Sequence, residues 1–214
     1  MRKDIHIRQA LATIIDAAGN NRWVLGGSSG LLLRGLQLPT EPNDIDLYCD
    51  DKDMLSIHRA LQQFAIDDPE LSESDIYRST LSHYQIGQYR VELVGGFQIS
   101  AHGCRYKTEV KNVLRHYSKA VDVGVNGLHQ LVHIVPLAHE LWFNALRDRS
   151  DRVELIVDAI RLSRIEHKKA LTVIEQKNGF PKELIECVNG WINDQREGEL
   201  EWTLKLSSGL PVVQ

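Results

Sequence analysis

"WVLGGSSGLLLRGLQLPTEPNDIDLYCD", from Trp23 to Asp50, is the stretch on which the reading of this chain turns. Its end, Asp44 to Cys49, reads as a strand in which Asp44 and Asp46 flank Ile45. Successive strand side chains point to opposite faces, so residues two apart share one. The two carboxylates therefore aim the same way at close range, where like charges repel. A divalent cation between them reverses that logic. Mg²⁺ takes hard oxygen ligands, commonly one or two carboxylates together with substrate phosphates.

The beginning of the stretch supplies a partner for such an ion. Arg22 to Leu25 reads as a short buried strand, and Gly26-Gly27-Ser28-Ser29 as a turn. Its serines are expected to cap a helix carrying Leu31, Leu32 and Leu33. Glycine lets backbone approach a ligand closely, and N–H groups at a helix start attract anions. A phosphate cradle beside a metal platform suggests a nucleoside triphosphate with its Mg²⁺.

Outward from this stretch, helical spacing at Ile7, Leu11, Ile14 and Ile15 ends at Gly19-Asn20-Asn21. Pro39 and Pro42 mark a loop, and Met54 to Phe64 a helix with Leu55, Ile57, Leu61 and Phe64 inward. Strands are expected at Ser82 to Ile86 and Tyr89 to Val94, with shorter pieces at Gln98 to Ile99 and Ala120 to Val125. Gly95-Gly96 reads as a bend. After Pro136 the pattern is helical: Leu137, Leu141, Ala145 and Leu146 form one face, and Val153, Ile156, Val157 and Ile160 another. Gly179 closes a helix and Pro181 opens the next, carrying Leu184, Ile185, Val188 and Ile192. The expected architecture is α+β: a mixed sheet flanked by helices over residues 1–135, followed by a helical lobe over 136–214. The apolar tail EWTLKLSSGLPVVQ is expected to pack on a neighbour or on the chain's own α/β lobe.

Composition sets the outer limits. The 214 residues are 43% hydrophobic and 25% charged, ordinary for a globular protein, and suffice for one large domain or two lobes. A net charge of -4 argues against holding extended nucleic acid through its phosphates. Cys49, Cys104 and Cys187 fit neither a disulfide framework nor a zinc spacing, which points to a reducing cytoplasm. The first residues lack a signal peptide's apolar core, and no apolar run spans a bilayer, so no membrane partner is expected.

Leu25-Gly26-Gly27-Ser28, followed after a helix and loop by Asp44-Ile45-Asp46-Leu47, resembles the signature of the nucleotidyltransferase superfamily, which includes DNA polymerase β and the aminoglycoside nucleotidyltransferases. That pattern continues with a third acid on a later strand. The best match is Glu92 in YRVELVGG, where one carboxylate interrupts an apolar middle; Asp75 and Glu109 are the other acids available. The segment IVPLAHELWFNALRDRSDRVELIVDAI is similar to the helical region of small stand-alone bacterial members.

The resemblance implies Asp44, Asp46 and Glu92 as catalytic residues and as ligands of two Mg²⁺ ions. It implies Gly26, Gly27 and Ser28 as the nucleotide-binding turn, and an NTP as co-substrate. The reaction implied transfers an NMP group to a hydroxyl, releasing pyrophosphate, with a small hydroxylated molecule as acceptor. A negative net charge suits a cationic acceptor. The alternatives are a toxin or antitoxin component that modifies a protein or tRNA, and a non-catalytic nucleotide-binding module.

One departure stands out. Where related small transferases carry a phosphate-binding lysine, this chain has Asn144, with Arg147, Arg149 and Arg152 nearby as substitutes or as a solvated basic face. Arg34 either reaches the triphosphate or covers the solvent side of its helix. His129 and His133 are four apart but lack a third ligand, and His139-Glu140 reads as an exposed helix pair. Trp142, Phe143, Trp191, Tyr84 and Tyr106 read as packing residues, with Trp142 as a candidate border of a base or acceptor pocket.

Overall fold

A computed structural model describes residues 4–125 and 127–193. The apolar tail at 201–214 lies outside them. The chain divides into two compact units. The first runs up to Ile99 and resumes over Lys107–Pro136; the second combines Ser100–Tyr106 with the chain from Leu137 onward.

The strands in chain order are β1 Val24–Gly26, β2 Asp44–Cys49, β3 Glu70–Glu73, β4 Tyr77–Ile86, β5 Tyr89–Ala101, β6 Cys104–Lys107, β7 Lys119–Asp122 and β8 Leu131–Ile134. The strands form one mixed sheet, and all but most of β6 and the end of β5 belong to the first unit. They lie in the order β3-β4-β5-β2-β1-β8-β7, with β6 hairpinned onto β5. The pairs β2–β5 and β1–β8 are parallel; β1–β2, β3–β4, β4–β5 and β7–β8 are antiparallel.

Alternation makes this sheet two-faced. Leu25, Ile45, Leu47, Cys49, Tyr84, Ile86, Val91, Leu93, Val132 and Ile134 are buried together on one face. Helices α1 (Ile5–Ala18) and α3 (Met54–Leu61) cover it with Ile7, Leu11, Ile14, Met54, Ile57 and Leu61. Helix α2 (Gly27–Leu33) adds Leu33. The hydroxyl of buried Tyr84 lies 2.9 Å from His58 Nδ1, so its polar end is satisfied within the core, and burial raises its pKa to about 12.

The helical turn of α3 overrides one expectation. Leu55 is 58% exposed, whereas Met54 and Ile57 point into the core. The buried face begins at Met54, one residue before the position the apolar spacing suggests. Strands β3, β6 and β8 are not expected from the sequence; β3 is exposed along its length and lacks the alternation that marks a buried strand. The bend assigned to Gly95-Gly96 sits inside continuous β5. Gly95 lies under the Met54 side chain, where a Cβ would be 3.2 Å from its sulfur. Gly96 has φ +58, and a Cβ there would lie 2.9 Å from the Asp51 Cβ.

The second unit is helical: α4 Leu137–Ala145, α5 Ser150–Leu162, α6 Arg164–Asn178 and α7 Lys182–Asn193. Every residue of α4 is buried, as expected for a helix packed on all sides by α5, α6 and the Tyr106 segment. His139 and Glu140 are therefore not the exposed pair the sequence suggests; they are 0% and 2% exposed. Each has a partner within the second unit. Tyr106 Oη lies 2.5 Å from His139 Nδ1, and Asn144 Nδ2 donates to the Glu140 carbonyl at 2.8 Å and to its carboxylate at 3.3 Å. Trp142 stacks on Phe180 with ring centroids 4.2 Å apart, and Trp191 is buried, so both are packing residues. Among the described residues no helix is long and apolar enough to cross a membrane.

The inward face of α3 is tested by truncation. Ile57→Ala lowers unfolding free energy by about 2–5 kcal/mol, while Leu55→Ala stays within about 0.5 kcal/mol, both read from urea midpoints.

His139 gives a second test, because burial lowers its pKa from 6.5 to about 3. Between those values the unfolded chain binds the proton and the native chain does not, so stability rises with pH through that window and falls as pH drops toward 3. One such proton contributes a slope of at most about 1.4 kcal/mol per pH unit. Urea midpoints followed from neutral pH downward should show a shallower loss in His139→Gln than in the unsubstituted chain.

Candidate active site

Two neighbouring strands, β2 and β5, carry the acids. Glu92 of β5 pairs with Asp46 of β2, and Asp46 pairs with Gly26 of β1. On the far side His83 of β4 pairs with Glu92. Paired residues share a face, so Gly26, Asp46, Glu92 and His83 form one row across four strands about 4.8 Å apart. Asp44 lies two residues along β2 on the same face, in register with Arg90. This is the face opposite the apolar core. Asp44 and Asp46 are half-buried, and the Glu92 side chain is 31% exposed.

The register explains why Asp75 and Glu109 lie elsewhere. Asp75 sits in the exposed turn between β3 and β4. Glu109 precedes a short turn over Val110–Leu114 whose first N–H groups donate to Asp50, at 2.8 and 3.0 Å. Asp50 lies just past the end of β2, six residues from Asp44, which puts Glu109 at the other end of that strand.

The glycine turn is pressed against the acids. Gly26 is extended and Gly27 has φ +61. A Cβ on Gly27 would fall 1.9 Å from Asp46 Oδ2, so no other residue fits there without displacing the carboxylate. The serines do not cap α2 as the sequence suggests. The cap position is Gly26, both serines lie inside the helix, and the buried Ser29 Oγ donates to the Asp44 carbonyl at 2.7 Å. That bond fastens α2 to the start of β2. Ser28 is half-buried on the first turn, beside the Gly27–Asp46 contact.

Among the described residues, no group of three or more His, Cys, Asp or Glu side chains stands close enough to hold a metal unaided. The donors present at Asp44 and Asp46 are hard carboxylate oxygens two residues apart on one face. That set fits an ion of the Mg²⁺ type, which completes its shell with water and substrate oxygens.

Two residues beside the acids are not singled out by the sequence. Glu92 Oε1 is 3.7 Å from His83 Nε2 and 3.9 Å from Arg90 Nε. Asp67 holds His83 at two points: Oδ1 accepts its backbone N–H at 2.6 Å, and Oδ2 lies 2.5 Å from Nδ1.

Several other candidates are occupied by structural contacts. Arg34 is turned toward the end of β8. Its guanidinium donates to the Val135 carbonyl at 2.6 and 3.1 Å and to the Ile134 carbonyl at 3.4 Å, closing the end of β8. Asn144 bonds back to Glu140, Arg147 stacks 4.7 Å over the Phe143 ring, and Arg149 and Arg152 both engage Asp151. His129 pairs with Asp122 at 2.6 Å and His133 Nδ1 with Ser118 Oγ at 2.8 Å, so these histidines serve separate contacts. Three backbone and side-chain hydrogen bonds, led by the Gly124 N–H, hold the Asp122 carboxyl at about 2.

No family model matches the sequence, and no curated protein matches it. Solved structures do. A proposed nucleotidyltransferase from Thermotoga maritima superposes with a TM-score of 0.55 at 22% identity, over 75% of this chain and 95% of that one. The chain has a nucleotidyltransferase-like fold. Weaker likenesses are to the antibiotic-resistance factor ANT(2'')-Ia (TM-score 0.48, 13% identity, 81% of this chain and 94% of that one) and to the lincosamide antibiotic adenylyltransferase LnuA (0.42, 11%, 69% and 94%).

The Gly27 contact is tested against a glycine with the same backbone and open surroundings. Gly87 has φ +59 and nothing within 4 Å of where a Cβ would stand, so Gly87→Ala costs only the left-handed strain, about 1–2 kcal/mol. Gly27→Ala adds the collision with Asp46 and should lose measurably more in urea unfolding. Equal losses would mean the turn and the carboxylate are not packed together.

Proposed function

We propose that this chain is a metal-dependent nucleotidyltransferase that moves an NMP group from an NTP to a hydroxyl of a small molecule, releasing pyrophosphate. The observation that carries this reading is the row across the sheet. Asp46 stands between Gly26 and Glu92, with Asp44 beside it and Gly27 packed on its carboxylate.

In this reading Asp44, Asp46 and Glu92 hold two Mg²⁺ ions, and the backbone N–H groups of Gly27 and Ser28 and the Ser28 hydroxyl bind the β- and γ-phosphates. The ions, when bound, neutralise the triphosphate and stabilise both the entering and the departing oxygen. The chain's own groups orient the reactants. The acceptor oxygen attacks the α-phosphorus in line, the bond from α-phosphorus to the bridging oxygen breaks, and pyrophosphate departs. Glu92 takes the proton from the acceptor hydroxyl. Holding the reactants in one geometry is itself a large part of such catalysis.

A cationic, hydroxylated acceptor suits this face. Asp67 and Glu92 flank His83 next to the metal acids, and the whole chain carries a net charge of -4. Negative surface steers a cation toward the site.

Melting temperature, measured with ATP, GTP and CTP and with or without Mg²⁺, tests the reading. A bound triphosphate at 100 times its Kd stabilises by about 2.7 kcal/mol, and that gain should vanish without Mg²⁺ and in Asp44→Asn. No shift with any triphosphate would remove nucleotide binding and the transferase reading with it. Pyrophosphate release should fall roughly a thousandfold in Asp44→Asn, Asp46→Asn or Glu92→Gln, corresponding to about 4 kcal/mol of transition-state stabilisation each. Labelled triphosphate offered with aminoglycosides, tRNA and a cell lysate identifies the acceptor; label on a protein or on tRNA alone would replace the small-molecule acceptor with a toxin–antitoxin type of target.

A further inference from the structure

The row across the sheet does not stop at Glu92. We propose that His83, held by Asp67, is a nitrogen ligand for the cation at Glu92, so that this position accepts Mn²⁺, Co²⁺ or Zn²⁺ in preference to Mg²⁺. The inference rests on the reading of Glu92 as a metal-side carboxylate and goes beyond it by naming a ligand and a class of ion.

Three features of the strand pair support it. First, His83 and Glu92 are directly opposed in the β4–β5 pair, so both side chains rise from the same face in adjacent strands. Second, the imidazole is fixed rather than mobile. Asp67 takes the backbone N–H of His83 with one oxygen and meets Nδ1 with the other, at 2.6 and 2.5 Å. A carboxylate at Nδ1 keeps the proton on that nitrogen and leaves the Nε2 lone pair for another partner, the arrangement by which metal-binding histidines are commonly oriented. Third, Nε2 lies 3.7 Å from Glu92 Oε1, a gap that a single ion about 2.1 Å from each donor spans.

The competing arrangement is an imidazolium bridging Asp67 and Glu92 as a purely ionic tie. The two differ in whether Nε2 carries a proton, because an imidazolium has no lone pair for a cation. Imidazole nitrogen suits transition metals and zinc, whereas Mg²⁺ prefers oxygen. The site would carry two protein donors from this pair, with the remaining positions left to substrate oxygens and water. Arg90, 3.9 Å from the same Glu92 oxygen, is 57% exposed on a flexible stem and is displaced by charge when a cation enters.

The test is Co²⁺ binding to the full chain in the presence of a non-hydrolysable ATP analogue, followed by visible absorption and by calorimetry, with circular dichroism melts to confirm that each variant folds. His83→Gln should weaken Co²⁺ binding roughly 10- to 100-fold and alter the absorption bands, and Asp67→Asn should weaken it by a similar factor by releasing the ring. With Zn²⁺, the ¹⁵N resonance of His83 Nε2 should shift while Nδ1 stays protonated. Unchanged Co²⁺ affinity and spectrum in folded His83→Gln would overturn the proposal, as would an imidazolium ¹⁵N pattern that Zn²⁺ leaves unaltered. The two readings fail separately. Absence of any metal-dependent triphosphate shift in the unsubstituted chain with Mg²⁺, Mn²⁺ or Co²⁺ removes the transferase, whereas a normal shift with Co²⁺ binding indifferent to His83 removes only this ligand.

Discussion

The fit of the Gly27 α-carbon against the Asp46 carboxylate is the constraint from which the rest of the site follows. A β-carbon at that point would stand 1.9 Å from Asp46 Oδ2, so the turn and the acid share one volume that only glycine leaves open. The positive φ at Gly27 swings the chain from β1 into α2, and the Ser29 hydroxyl then ties α2 to the Asp44 carbonyl. Two short connections thereby fix the turn relative to both aspartates. Displacing any one of the three would move the others, because all are attached to the same few residues of β1, α2 and β2.

The sheet makes a charged row tolerable by separating its two faces. Ile45, Leu47, Val91 and Leu93 alternate with Asp44, Asp46, Arg90 and Glu92, so the strands that expose carboxylates on one side are anchored by fully buried side chains on the other. A slip of β2 by one residue would exchange its faces, placing Asp44 and Asp46 in the core. Burying unpaired carboxylates costs several kcal/mol each, so the register of β2 against β5 is enforced by the apolar face and inherited by the polar one. The site's geometry is in this sense a by-product of core packing, and mutations in the core reach the site through register.

Much of this is legible in the residues, for a physical reason. Period-two alternation around Asp44 and around Glu92 is a local signal, and the Gly26-Gly27 pair marks a backbone excursion that side chains would forbid. The helices after Pro136 announce themselves by spacing. What is not legible depends on partners distant in sequence. Buried His139 and Glu140 look like a polar pair on a surface, because nothing in LAHELWFNA says that Tyr106 will arrive to meet the imidazole. Arg34 looks like a phosphate ligand or a solvent-facing cation until the carbonyls of Ile134 and Val135 are seen to claim it. Strand β3, exposed throughout, carries no burial pattern to betray it.

His83 lies between these cases. The strands around Gly87-Gln88 are recognisable, and a two-residue hairpin connection fixes which residues face each other. Counting outward from Ile86 and Tyr89, each step back on β4 meets a step forward on β5, and the third step joins His83 to Glu92. The pairing is therefore contained in the sequence once both strands are placed. Asp67 is not, because it lies in the irregular segment before β3 and reaches His83 only when Ile66 bonds to the His83 carbonyl at 2.8 Å. That backbone bond is what delivers a carboxylate to the far nitrogen of the ring. A histidine beside an acid is a common surface pair; one whose other nitrogen is clamped by a second acid, itself fastened to the same strand by backbone bonds, has a defined direction. Direction is the property a ligand needs, and here it is set by β-sheet pairing and one tethered loop rather than by any feature of the histidine itself.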